Sequence, residues 1–449
     1  MTGSTQFTRR GFLLSGAAVA AAGALRIPAA SAQAYGLDAA RFGIAANSAT
    51  DQSAAIQRAL DETRVTGTPL FLPPGRYLAS GLQLGSGARL TGVPGATRLV
   101  STGGGPLVTA TGAQTAALQD LVLDGAAQDL GGAQALVELI DVTTADVDGC
   151  QIENSWADGL YMKSCGGGVR DTRITGALGA ALFSLDGRDL EISGNRVEEC
   201  GDNGIMVWQS AQQTDGARIT DNHVTRIHNR SGGDGPYGNG IVVFRGGGVT
   251  VTGNRVTDCT FSAVRVNAGS DTIVSQNNCA RLGEVAIFVE FEFDGAVVSN
   301  NLVDGATHGI SVTNFDRGGR LAVVSGNLIR NIEIGDFAEP RGNGIFVSAD
   351  TSLTGNVVEN AANAGYALGY GPYLRDVVAT GNVVRKAATG FEISVVEGVK
   401  NVLVADNLIS DVSRAAILGM EWDQAVTGDL AVDGAEDYPE LTLRGNRVG

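Results

Sequence analysis

Apolar and polar positions alternate in short bursts along most of this chain, and each burst ends at a polar turn. In its second half the bursts fall into a fixed phrase: an apolar residue, two small or polar ones, an Asn, a variable residue, then an apolar one. It reads Ile192-Ser193-Gly194-Asn195-Arg196-Val197, Val251-Thr252-Gly253-Asn254-Arg255-Val256 and Val324-Ser325-Gly326-Asn327-Leu328-Ile329. The Asn positions are Asn195, Asn222, Asn254, Asn277, Asn300, Asn327, Asn356, Asn382, Asn407 and Asn446, most of them 23 to 29 residues apart. About nine residues after most of these Asn comes a small residue and an apolar strand, as in Gly204-Ile205-Met206-Val207 and Ala286-Ile287-Phe288-Val289. Two alternating strands and their turns make one coil. Such a coil cannot bury its own apolar face, so coils must stack, about 4.8 Å apart. The repeated Asn is expected to adopt a left-handed turn and to hydrogen-bond along the stack, a structural role.

One helix is expected early. Thr50-Asp51 can cap it, and Ile56, Ala59, Leu60 and Thr63 fall on one face. A strand at Leu70-Phe71-Leu72 follows, stopped by Pro73-Pro74-Gly75 and resumed at Arg76-Tyr77-Leu78. Phe42-Gly43, the segment Asp51 to Gln57, Ala59-Leu60 and the run Leu70 to Tyr77 resemble the opening of pectate-lyase-superfamily β-helix proteins. The resemblance implies an all-β fold: a single-stranded right-handed parallel β-helix with an N-terminal capping α-helix. It leaves the activity open.

The first 34 residues read as an address. Thr8-Arg9-Arg10-Gly11-Phe12-Leu13-Leu14 is a twin-arginine signature, a short Ala/Gly-rich apolar stretch follows, and Ala30-Ser31-Ala32 or Ala32-Gln33-Ala34 offers a cleavage site. The stretch is too short and too weakly apolar for a membrane span. The expectation is export in the folded state to the periplasm or beyond, with no membrane attachment after cleavage. Residues 1–34 are therefore read as signal peptide and 35–449 as one β-helix domain, with 35–80 as cap and 81–449 as coils. Signal, cap and repeats together resemble the twin-arginine-translocated repeat proteins of bacteria.

Composition narrows the partners. The formal net charge is −16, and residues 1–32 carry three arginines and no acids, so the remainder is more acidic still. Nucleic-acid binding needs clustered Lys and Arg and is excluded on this balance. The five cysteines show no C-x-x-C spacing, which argues against a zinc or redox motif and for buried packing residues. No metal-ligand motif is present, and the cofactor is left unknown, with Ca²⁺ kept open for an acidic substrate. A monomer is expected.

Alternate residues of a strand face outward. In the strand after each small residue, the outward columns hold Tyr161, Phe183, Met206, Val242, Arg265, Phe288, Ser311, Phe346, Ala367 and Glu392, and beside them Trp208, Phe244, Asn267 and Glu290. Exposed aromatic rings on a flat sheet are a sugar-stacking platform. Two coils are also too long, at 226–239 and 332–343, and they lie four coils apart, about 19 Å. Insertions in a solenoid gather on its binding side. The expected site is therefore the stretch between these loops with the aromatic columns and the first loop beside it: Arg265, Glu290, His308 and Asp316 for chemistry, and Trp208, Phe244, Asn267, Phe288, Tyr237 and Arg317 for binding.

The segment Thr307-His308-Gly309-Ile310 resembles the His-Gly motif of polygalacturonases, but the acids of their pattern are missing from the two preceding coils, apart from Glu284. The functional expectation is an exported protein acting on an acidic polysaccharide along the outer face, with a lyase placed ahead of a hydrolase. β-Elimination needs a base at a C5 proton and a positive group on the uronate, for which His308 or Tyr237 and Arg265 are the candidates. The alternatives are a cross-strand ion pair between Arg265 and Glu290, and a non-catalytic glycan-binding or structural repeat protein of the envelope.

Overall fold

Register fixes the architecture. The computed structural model describes residues 36–313, 318–335 and 341–449, and nearly every strand in it pairs in parallel with its counterpart one coil away. The chain winds through about 13 coils, each with three faces. Face A includes Asp158–Lys163, Val264–Asn267, Val285–Glu290 and His308–Thr313. Face B includes Glu191–Ser193, Thr250–Thr252 and Asp294–Ser299. Face C includes Arg173–Thr175, Arg196–Cys200, His223–Ile227 and Arg255–Cys259. The signal region lies outside the described residues.

Inward columns of branched side chains build the core. On face A, Leu160, Leu182, Ile205, Ile241, Val264, Ile287, Ile310 and Ile345 stack in register and are fully buried or nearly so. β-Branched residues suit this pleated, buried surface, and each such side chain contributes about 1.5–3 kcal/mol by leaving water. The column continues in Tyr366 and Phe391, whose rings stack at 4.8 Å. The helix, Ser53–Thr66, closes the N-terminal end with Ile56, Ala59, Leu60 and Thr63 buried, the face read from the sequence. The N-cap residue is Gln52, whose side chain makes no cap hydrogen bond; Asp51, one residue before it, accepts from the Ser53 amide at 2.8 Å. All five cysteines are buried and unpaired.

The Asn phrase forms a ladder at the corner between faces B and C. In Asn222, Nδ2 donates to Ile192 O and to Asn254 Oδ1, both at 2.9 Å, and the backbone N donates to Asn254 Oδ1 at 3.0 Å. This pattern repeats through Asn446. Two expectations change. The ladder member is Asn301, not Asn300. The left-handed residue is the one before each ladder Asn, as at Gly194, Asp221 and Asn300, which frees the Asn side chain to point along the stack.

The C-terminus departs from the repeat. Ala415–Glu421 turns back antiparallel on Gln424–Asp429. This hairpin stands at the end of face A, where it can wall a cleft.

Candidate active-site cleft

Face A carries the outward columns read from the sequence. Tyr161, Phe183, Met206, Val242, Arg265, Phe288, Ser311, Phe346, Ala367 and Glu392 pair coil to coil, with Trp208, Phe244, Asn267 and Glu290 beside them.

The first insert folds over this face and is tied down at two points. The Asp202 carboxylate accepts from the Ser231 amide at 2.7 Å and its hydroxyl at 2.8 Å. Arg265 Nη1 donates to Gly235 O at 3.0 Å. A Cβ on Gly235 would lie 2.8 Å from that guanidinium, so a side chain there would require the guanidinium to shift. Arg265 Nε also donates to Glu290 Oε1 at 2.6 Å, and Asn267 Nδ2 donates to the same oxygen at 3.0 Å. Glu284 Oε2 lies 3.6 Å from Arg265 Nη1, and the Phe288 ring lies 5.1 Å below the guanidinium. Burial raises the Glu284 pKa, Arg265 opposes it and Glu290 adds to it. The Glu290 side chain is 1% exposed and that of Arg265 13%. The structure thus brings Arg265, Asn267, Glu290 and Phe288 together as a closed cluster beneath a loop.

The other sequence candidates are distributed around it. Tyr161, Phe183, Trp208 and Phe244 form a row with centroid spacings of 5.3, 5.3 and 5.2 Å. They are half-buried rather than exposed, because their rings tilt against one another over Ala180, Met206 and Val242; Phe346 is buried. Tyr237 is half-buried on the first insert. His308 opens the face A strand His308–Thr313 and meets the second insert, its Nε2 accepting from the Arg341 amide at 3.3 Å. Asp316 and Arg317 lie outside the described residues. Among the described residues no group of three or more His, Cys, Asp or Glu side chains could hold a metal ion.

Beyond the second insert, face A opens into a cleft of about 290 Å³. Its floor is the continuing outward column, Phe346, Ala367 and Glu392. One wall is Arg341, Asn343 and Asn363, from the turns entering face A. The other is Tyr370, Trp422 and Asp423, from the turns leaving it. Tyr370 and Trp422 meet edge to face at 5.0 Å. The Arg341 guanidinium sits 4.5 Å over the Tyr370 ring and its Nη1 lies 3.2 Å from Asp423 Oδ1. The Tyr370 hydroxyl donates to Asp423 Oδ2 at 3.1 Å. Trp422 takes a left-handed backbone and crosses Gly371, where a Cβ would meet its ring at 2.4 Å.

Glu392 is the chemical centre of this cleft. Its side chain is 11% exposed, Asn363 Nδ2 donates to Oε2 at 3.1 Å, and Arg414 Nη1 stands 4.0 Å from Oε1. Burial pushes its pKa up, against the pull of Asn363, Arg414 and Arg341. A carboxyl whose pKa is raised by burial thus stands in the same cleft as Asp423, which is held by a guanidinium and a phenol. Paired carboxyls in contrasting environments are what acid–base chemistry at a glycosidic bond requires. Sequence reasoning placed Glu392 in the outward column but looked only between the inserts. The acid in an otherwise apolar and small stretch of that column was the available signal.

Two family models match the chain. The right-handed β-helix region matches over residues 135–214, 161–322 and 212–374. The model of rhamnogalacturonase A/epimerase, pectate lyase-like, matches residues 37–118. A search of curated protein sequences finds no match. Among solved structures, the catalytic unit of a GH87 α-1,3-glucanase from Streptomyces thermodiastaticus superposes with a TM-score of 0.54 at 14% identity, over 87% of this chain and 70% of that one. The pre-mature gene product 12 of bacteriophage phi29 superposes with a TM-score of 0.51 at 14% identity, over 92% of this chain and 57% of its own. At these identities the likeness concerns the fold.

Proposed function

The chain belongs to the right-handed β-helix family of the pectate-lyase-like superfamily, and on that footing we propose that it is an exported, monomeric, glycan-cleaving enzyme whose centre is the Glu392 cleft. The observation that carries this reading is Glu392 itself, a nearly buried carboxyl with a raised pKa on the floor of an open, aromatic-walled cleft. In the reaction, Glu392 protonates the departing glycosidic oxygen. Asp423 then acts from across the cleft, as a base on water or as a nucleophile. Trp422, 45% exposed, offers its ring to the sugar, and Arg414 suits an acidic substituent on it.

β-Elimination is the second reading, favoured by the two arginines that line the cleft. One experiment separates the two. The purified protein is incubated with neutral glucans and with uronate polymers, with and without Ca²⁺, while new reducing ends and unsaturated-uronate absorbance are followed. Hydrolysis yields reducing ends alone; elimination yields both signals. Glu392→Gln should lower turnover by about 10²–10⁴-fold with the thermal midpoint retained. Full activity in Glu392→Gln overturns the assignment of Glu392 as the acid, and neither signal on any polymer overturns the enzyme reading and leaves a glycan-binding role. Export through residues 1–34 is tested with Arg9→Lys/Arg10→Lys, which should hold the protein in the cytoplasm.

A further inference from the structure

Face C lies away from the cleft and carries a second feature. Its outward column runs Gln151, Arg173, Arg196, His223, Arg255, Asn278 in unbroken parallel register. Four consecutive coils therefore present a basic side chain at the same position, one every 4.8 Å or so, over about 14 Å. The chain as a whole carries a net charge of −16, against which this column stands as a basic strip.

The guanidiniums are held and still accessible. Glu198, in the next column, has a side chain 7% exposed and pairs with Arg173 at 3.2 Å, with Arg196, and with Arg226 at 3.5 Å. Arg173 and Arg196 remain 49% and 57% exposed. Arg255 is exposed and forms no ion pair among the described residues. Beside the strip, Arg226 pairs with Glu199. One buried carboxylate thus orients several arginines without cancelling them. The field registers on His223, whose pKa is lowered by burial and then by Arg196 and Arg255.

We propose that this strip is a non-catalytic binding site for an acidic polysaccharide, which lies along the helix axis with about one anionic sugar per coil. The coil spacing is close to the length of one hexose residue, so a polyuronate can meet successive guanidiniums without bending. Planar guanidinium matches planar carboxylate. The choice of a glycan as the polyanion rests on the glycan-active reading; the strip itself does not. A site on a face remote from the cleft would hold the enzyme on a bulk polymer while the cleft works.

The test uses the purified protein with polygalacturonate, a neutral glucan and single-stranded DNA of matched charge, in a binding titration at two salt concentrations. Polygalacturonate should bind, more weakly at high salt, with the glucan and the DNA at least about tenfold weaker. Arg255→Glu, at a residue with no internal partner, should weaken binding about tenfold, and Arg173→Gln/Arg196→Gln/Arg255→Gln should remove the salt dependence. The protein has three histidines, so the His223 imidazole can be followed by NMR; its titration midpoint should rise when the polymer binds, because the anion offsets its arginine neighbours. Unchanged binding in both variants, equal affinity for DNA, or a His223 midpoint that stays put overturns the proposal. Glu392→Gln should leave this binding intact, so loss of cleavage and loss of strip binding report separately.

Discussion

Replacing Glu290 by Gln keeps the shape of the side chain and removes one buried charge. The Glu290 carboxylate now receives Arg265 Nε at 2.6 Å and Asn267 Nδ2 at 3.0 Å from a site 1% exposed. In the variant, Arg265 keeps Gly235 O at 3.0 Å and Glu284 at 3.6 Å but faces a neutral amide. Breaking one partner of a buried pair costs about 3–5 kcal/mol. The remaining partners place this case at the low end, about 3 kcal/mol. Since 1.4 kcal/mol is a factor of ten, local opening of the first insert should become roughly a hundredfold more frequent. Contacts in a solenoid are near-neighbour contacts, so the effect should stay within the adjoining coils. Hydrogen exchange and limited proteolysis across 228–238 read the opening directly, and cleavage rates on the same samples read the chemistry. The expected result is faster exchange and nicking of that loop, with turnover per folded molecule within about twofold of the parent. If Glu290→Gln left the loop as protected as before and lowered turnover a thousandfold or so, Glu290 would be an acid or base of the reaction and the loop-anchor argument would fail.

Other substitutions follow from the same contacts. Asn356→Ala deletes bonds to Val324 O and Asn382 Oδ1 and orphans the Asn327 backbone and side-chain donors. At about 1 kcal/mol each, denaturant unfolding should show a loss of about 3–4 kcal/mol; a loss below 1 kcal/mol or so would show the ladder to be incidental. Burial holds the pKa of Asp215 up at about 6, with Gln209 and the Ala217 amide opposing. A raised carboxyl binds its proton more tightly folded than unfolded, so its contribution is full below about pH 4 and is lost as pH rises through about 6. Asp215→Asn should therefore shrink the drop in thermal midpoint between pH 5 and pH 8, and an unchanged drop would refute the linkage. Trp422→Ala should raise KM several-fold and leave kcat nearly unchanged, since the ring contacts sugar in both ground and transition states; a fall in kcat alone would contradict its place in the cleft wall.

Periodicity made the coils legible because each coil repeats the same local problem. Ile287, Ile310 and Ile345 must face inward whatever their neighbours do, so alternation alone predicts the columns, and the register of face A confirms them residue by residue. The capping helix was legible for the same reason, since Ile56, Ala59, Leu60 and Thr63 are spaced for one buried stripe. At one coil the phrase is misaligned by a residue: Val298-Ser299-Asn300-Asn301-Leu302-Val303 fits it, whereas a frame centred on Asn300 puts Val298 at a small or polar position. The hydrogen bonds to Asn277 and Asn327 select Asn301 and leave Asn300 to make the left-handed turn.

The site was half legible, because columns are encoded locally and the loops over them are not. The outward column delivered Arg265, Asn267 and Glu290 as a group, yet nothing in the column says that Gly235, thirty residues earlier, descends on the guanidinium and closes it. Conversely, Glu392 stands in the same column, but the walls that make it a cleft residue come from Arg341 and from Asp423, which are 82 residues apart and meet at 3.2 Å. That meeting depends on the antiparallel hairpin at Ala415–Glu421, a departure from the repeat. A solenoid's repeat therefore reports where side chains point, and its interruptions decide which of those side chains water, or a substrate, can reach. Here one interruption covers Arg265 and Glu290, and the other leaves Glu392 at the floor of an open cleft.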